Sequence, residues 1–154
     1  MMRDGVDIKV IGAKDVNKVL QRLPQRVQKN IFRSAIRAAT RPVIKDARKA
    51  LYKQGSVRSK SLWKSITAIV KTYKNGTVGA FVGPSRKYRG THNGKRVTPW
   101  KYAHLVERGG DGGRLRPRPF LAPAIAGKLT ATKNAFAQQI RKRLPIEIAK
   151  LKRK

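Results

Sequence analysis

The residues able to do chemistry are few. The seven carboxylates are Asp4, Asp7, Asp15, Asp46, Glu107, Asp111 and Glu147. No two of them lie within one predicted helix, where a shared face would suit paired-acid hydrolysis or a two-metal site. His92 and His104 are the only histidines, and there is no cysteine. Disulfides, thiolate catalysis and sulfur-ligated metals are therefore excluded, and two histidines make a poor zinc set. Gly90 to Lys95 lacks the spacing and the hydroxyl residue of a phosphate loop. Gly109-Gly110-Asp111-Gly112-Gly113 follows no predicted strand and reads as a turn. The expectation is a protein with no catalytic centre, no metal and no cofactor.

Positive charge is abundant instead. The 154 residues carry 38 Lys and Arg against 7 Asp and Glu, a formal charge of +31. Self-repulsion of this size penalises an isolated compact subunit and points to a polyanionic neighbour. The charge is distributed: 13 bases and 4 acids in residues 1–50, 11 and none in 51–100, 14 and 3 in 101–154. A detachable basic arm would concentrate it at one end. A hydrophobic fraction of 40% is close to globular, so a core can form, burying about two thirds of the unfolded surface at this length. No apolar run suits a membrane span, and Met1 to Gly5 has no export-signal character. We expect no membrane partner and a cytosolic origin. No zinc-finger spacing, paired RNA-binding aromatics or helix-turn-helix stands out.

These residues must be positioned by elements. Val6 to Ile11 alternates as a first strand, and Ala13 to Leu23 spaces Val16, Val19, Leu20 and Leu23 as a short helix. Pro24 fits the first turn of a long helix from Gln25 to Tyr52. Its apolar line is Val27, Ile31, Ala35, Ala38, Ala39, Val43, Ala47 and Leu51, while Arg26, Lys29, Arg33, Arg37, Arg41, Lys45 and Arg48 lie largely off it. Pro42 should kink or split that helix. After a Gly55–Ser59 loop, Ser59 or Ser61 caps a single turn through Leu62 and Trp63. Ile66 to Tyr73 and Thr77 to Gly83 then form a hairpin about Asn75-Gly76. Ile66, Ala68 and Val70 share one face, as do Val78, Ala80 and Val82.

Ser85 to Pro99 reads as a long exposed basic loop, a length that in a small domain signals a function or disorder. Trp100 to Glu107 forms two helical turns closed by Gly109-Gly110, and Asp111 to Pro119 forms a second basic loop. A last helix runs from Phe120 to about Arg143, with Phe120, Leu121, Ile125, Leu129, Phe136 and Ile140 inward. Pro145 interrupts it, leaving a basic C-terminal extension at about 145–154. The expected class is α+β: a small antiparallel sheet packed against a long helix and a C-terminal helix, with extended basic loops, in a single domain over 1–154.

Two segments go beyond composition. Tyr102-Ala103-His104-Leu105-Val106-Glu107-Arg108-Gly109, followed by Arg116-Pro117-Arg118-Pro119-Phe120-Leu121-Ala122-Pro123-Ala124, resembles the signature of a family of head–tail connector proteins. These are the head–tail joining or tail-completion proteins from the neck of long-tailed double-stranded DNA bacteriophages. The alanine-rich helix, Ser61-Leu62-Trp63-Lys64-Ser65-Ile66 and the Val-Gly hairpin follow in the expected order. Where the family commonly has Thr-Gly before the Leu-x-x-Ser-Ile segment, this chain has Arg58-Ser59-Lys60-Ser61.

The resemblance implies a non-enzymatic virion structural protein, assembled in the host bacterial cytoplasm as a ring at the head–tail junction. Its partners would be copies of itself, with a hexamer the usual expectation, neighbouring head-completion or connector proteins, and tail terminator or tail-tube proteins. Packaged double-stranded DNA would pass through the channel. Tyr102, Val106, Glu107, Gly109, Pro117, Pro119, Phe120, Leu121 and Pro123 become structural motif residues. Glu107 lies near Lys101, Arg108, Arg114, Arg116 and Arg118 in sequence, so an ion pair or a helix-end hydrogen bond is its expected role. Phe120 is expected to anchor the last helix against the sheet. Arg86, Lys87, Arg89, Lys95 and Arg96 in the first loop, and Arg114, Arg116 and Arg118 in the second, are the candidate DNA- or partner-facing bases. Charge alone supports an alternative, a soluble basic nucleic-acid-binding protein acting outside a virion.

Overall fold

Helix formation in this chain follows its apolar spacing more closely than its prolines. The computed structural model describes residues 14–55 and 60–152, so the expected strand Val6–Ile11 and the loop about Ser59 lie outside the described residues. Helix α1 covers Lys14–Gln21 and α2 covers Gln25–Lys53. Pro24 stands just before α2 rather than in its first turn, and its carbonyl accepts from the Val27 and Gln28 N–H groups at 2.9 and 3.1 Å.

Ile31, Ala35, Ala39, Val43, Ala47 and Leu51 are buried along one side of α2, as their spacing predicts. Pro42 does not split the helix. A proline leaves the carbonyl four residues back without its helical donor. Here Ala38 and Pro42 both line an open groove, where water can reach that carbonyl. Packing on both flanks holds the remaining turns, as tertiary contact does for most protein helices.

The next elements are α3 at Ser61–Ser65, β1 at Ile66–Thr72 and β2 at Val78–Pro84. β1 and β2 pair antiparallel in the register Ala68↔Val82 and Val70↔Ala80, which places the two predicted apolar faces on one side. That side packs on α2. The turn is a three-residue loop rather than a two-residue one: Tyr73 N–H donates to Thr77 O at 2.8 Å, and Gly76 N–H to Tyr73 O at 3.0 Å. Only Gly76 there takes a positive φ.

The expected long loop after Pro84 is a second hairpin. β3 (Gly90–His92) pairs with β4 (Lys95–Val97), and Asn93 and Gly94 both have positive φ, 50° and 73°. This is the two-residue Asn-Gly turn whose twist matches that of paired strands.

Helix α4 is Pro99–Arg108, with proline at its start. The expected last helix is two helices, α5 (Leu121–Gly127) and α6 (Leu129–Lys152), separated at Lys128. Pro145 does not interrupt α6. It sits on an exposed stretch where the freed carbonyl can be solvated. Among the described residues, no helix is long and apolar enough to cross a membrane.

Two hydrophobic clusters share α2. One joins Val43, Ala47 and Leu51 to Leu62, Ile66, Ala103, Phe120 and Ala124. The other joins Ile31 and Ala35 to Leu20 and Ile140, with Val27, Phe32, Phe136 and Leu144 around them. Ser34 ties α2 to α6, its hydroxyl accepting from Gln139 Nε2 at 2.9 Å and Arg143 Nε at 3.2 Å. Val19 and Leu129, expected inward, are 37% and 38% exposed. Each lies at the margin of its helix's buried stripe. The architecture is α+β: a long helix, two small antiparallel hairpins and a C-terminal helix.

Candidate functional site

Glu107 lies in the last turn of α4, and its side chain reaches across to the start of α5. Oε2 accepts from the Phe120 and Leu121 N–H groups at 2.8 and 3.0 Å, and Oε1 from Ala122 N–H at 3.0 Å. The next residue, Pro123, has no N–H. A helix start leaves four backbone donors without helical partners. One carboxylate takes three of them here, and the fourth does not exist. The negative charge also suits the positive end of the helix dipole. Of the two roles expected for Glu107, the structure displays the helix-end hydrogen bond.

Further bonds close the segment between the helices. Arg118 N–H donates to Val106 O at 2.8 Å, and Gln54 Nε2 donates to Pro119 O at 2.9 Å. Arg118 Nη1 donates to Gln54 O at 3.3 Å, so the end of α2 is part of the same clasp. Gly109 ends α4 with φ 76°, and a Cβ added to it would stand 2.5 Å from Leu115 O. Any side chain there pushes the returning strand away. Phe120 is fully buried, and Tyr102, Val106 and Leu121 pack partly buried against the same cluster. α5 packs on α2, and the cluster that holds Phe120 draws Val43, Ala47 and Leu51 from α2 and Ile66 from the sheet, so Phe120 anchors α5 to α2 as well as toward the sheet. Pro117, Pro119 and Pro123 are exposed and act through backbone shape. The motif residues therefore converge on one structural junction.

The candidate partner-facing bases form two separate groups. Arg86, Lys87, Arg89, Lys95 and Arg96 are all exposed on or beside the β3–β4 hairpin. The Arg86 guanidinium lies 4.4 Å from the centroid of the Trp100 ring, which is itself 40% exposed. Arg89 Nη1 donates to the carbonyls of Tyr88 and Arg86. These bonds pre-shape the hairpin base without neutralising it. Arg114, Arg116 and Arg118 are exposed in the second loop, where Arg118 also serves the clasp. His92 is half-buried within β3, and His104 is exposed on α4. Among the described residues, no three His, Cys, Asp or Glu side chains gather as a metal set.

A third basic surface joins bases already seen off the apolar line of α2 to Trp63 of α3, a juxtaposition the sequence pattern does not show. Arg41, Ile44, Lys45, Arg48, Lys49 and Tyr52 of α2, with Trp63 of α3, line an open groove of about 610 Å³. Arg48 holds it together: Nη2 donates to Ile66 O at 2.9 Å, and the guanidinium lies 5.0 Å from the Trp63 ring centroid. Arg41 and Lys45 also border a neighbouring groove of about 550 Å³ between α2 and α6. The available signal was the i, i+4, i+7, i+8 spacing of Arg41, Lys45, Arg48 and Lys49, which marks one helix stripe. No family model, curated protein or solved structure matches the chain.

Proposed function

We propose that the chain is a non-enzymatic structural protein of the neck of a long-tailed bacteriophage, forming a ring around the DNA channel at the head–tail junction. The observation that carries this reading is the Glu107 clasp. The two segments that resemble the neck-protein signature are separated by a glycine-rich gap, yet they meet through one carboxylate and three backbone donors. A signature whose residues interlock in this way is a coherent unit of fold, which favours a real resemblance over a chance run of prolines. It supports the family, and through the family the ring, the hexamer expectation and the neighbours on either side.

The charge is consistent with the same role. A closed ring is the symmetric outcome of one heterologous interface. A +31 subunit gains from assembly beside DNA or acidic neighbours, which screen its self-repulsion. The β3–β4 hairpin, with its five exposed bases, is then the surface to face the channel or the adjoining ring.

The test is physical presence in particles. The chain should occur at a fixed low copy number per purified virion, with density at the head–tail junction by electron microscopy. Its absence from purified particles, together with free protein that sediments with cellular nucleic acid, would replace this reading with that of a soluble nucleic-acid-binding protein.

A further inference from the structure

We propose that the α2–Trp63 groove is a docking site for an acidic, amphipathic peptide segment of a partner protein, with an apolar side chain in the groove and carboxylates on its rim. The inference goes beyond the neck reading and stands whether or not that reading holds. It begins from the groove's composition. Ile44 and the rings of Tyr52 and Trp63 supply its apolar surface, while Arg41, Lys45, Arg48 and Lys49 supply cations along the same stripe. Tyr52 is 71% exposed, a large aromatic surface with little cover. Among the described residues, no carboxylate pairs with Arg41, Lys45 or Lys49.

The complementarity selects the partner. Phosphates would engage the cations but gain nothing from Ile44 or from burying Tyr52. A nucleobase needs an open aromatic face. Trp63 faces the Arg48 guanidinium and packs against the core cluster, so Tyr52 is the ring left open to a base, and a base stacked there would leave Ile44 unused. An apolar anchor flanked by Asp or Glu uses both features: the groove removes the anchor from water, and the guanidinium groups bind carboxylates through paired hydrogen bonds. The stripe from Arg41 to Tyr52 spans about three helical turns, or roughly 16 Å. That length suits a short helical segment with anchors at i, i+3 or i+4, and i+7.

Fluorescence anisotropy with two labelled peptides tests this. Both are about 15 residues long, enough to cover the stripe and leave room for Glu on the flanks. One carries Leu at the helical anchor positions and the other carries Ser there. The Leu peptide should bind the full chain about tenfold more tightly than the Ser peptide, as expected for a buried anchor. Tyr52→Ala should remove that preference while leaving the melting curve unchanged. In a Trp100→Phe background, the remaining Trp63 emission should shift on addition of the Leu peptide alone. Lys45→Glu with Lys49→Glu should weaken both peptides. Equal binding of the two peptides overturns the proposal. So does a duplex oligonucleotide whose affinity falls with Tyr52→Ala as far as that of the Leu peptide. The first result would leave only a charged surface, and the second would make the groove a nucleic-acid site.

Discussion

The clasp around Glu107 and the hairpin at Asn93-Gly94 are neighbours in sequence and opposites in construction. The clasp is built inward. One carboxylate, a buried phenyl ring and a positive-φ glycine determine where α5 begins. The hairpin is built outward. Its backbone is ordered by a two-residue turn, and its bases stand in solvent. Both segments are rich in glycine and arginine, so composition does not distinguish them. The difference lies in whether a segment has something to bond to on both sides.

Removing the ring at the centre of the clasp should have the largest effect. Phe120→Ala leaves a cavity among Val43, Leu51, Leu62 and Ile66 and should cost about 3–5 kcal/mol. Urea denaturation should then find much of the protein unfolded without denaturant. A midpoint equal to that of the unchanged chain would show that Phe120 is not a core residue.

Glu107→Gln comes next. It removes the charge and replaces one of the two acceptor oxygens with a donor that faces Ala122 N–H or its neighbours. A loss of about 2–3 kcal/mol is expected from unmade charge-assisted bonds. Hydrogen exchange should accelerate at Phe120, Leu121 and Ala122 before it does elsewhere. Uniform exchange across the chain would mean that the carboxylate does not set the helix start.

Gly109→Ala should cost about 1–3 kcal/mol, through a backbone conformation poorly tolerated by a side chain and the approach to Leu115 O. An unaltered melt would show that the loop relaxes freely.

The smallest stability effect belongs to the hairpin. Changing Arg86, Lys87, Arg89, Lys95 and Arg96 together to Gln should move stability by only about 1 kcal/mol or less, the loss of the Arg86–Trp100 and Arg89 contacts being offset by relief of like-charge repulsion. On the proposed neck reading, the same variant should also impair head–tail joining in an assembly assay. Unimpaired joining would make these bases a solvated surface, and a collapsed fold would mean that the hairpin supports the core.

Much of the architecture was legible because apolar spacing reports burial directly. The α2 line from Val27 to Leu51 and the shared face of β1 and β2 needed nothing else. No split occurs at Pro42 and no break at Pro145, because a proline's penalty is local, whereas a helix packed along its length is held by many distant contacts. Asn75-Gly76 stands between two alternating runs and signals a two-residue turn, yet a three-residue loop forms there. Asn93-Gly94 makes the two-residue turn, with both residues at positive φ, but its three-residue strands are too short and too charged to show alternation. At the candidate site, Glu107, Gly109 and Phe120 were legible through the motif. The groove was not, since it depends on the angle at which α3 brings Trp63 to Arg48, and no pattern within either helix encodes that angle.

The sharing of α2 between two clusters also bears on how the chain is made. Val43 and Leu51 wait for Ala103, Phe120 and Ala124, and Ile31 and Ala35 wait for Ile140. The Ser34–Gln139 bond joins residues 105 positions apart. During synthesis the long basic helix therefore emerges well before the residues that cover it. Until α6 is available, Ile31 and Ala35 of this cationic helix lack Ile140 and Phe136 as cover. Closing these contacts across long stretches of chain is the slow step expected in its folding.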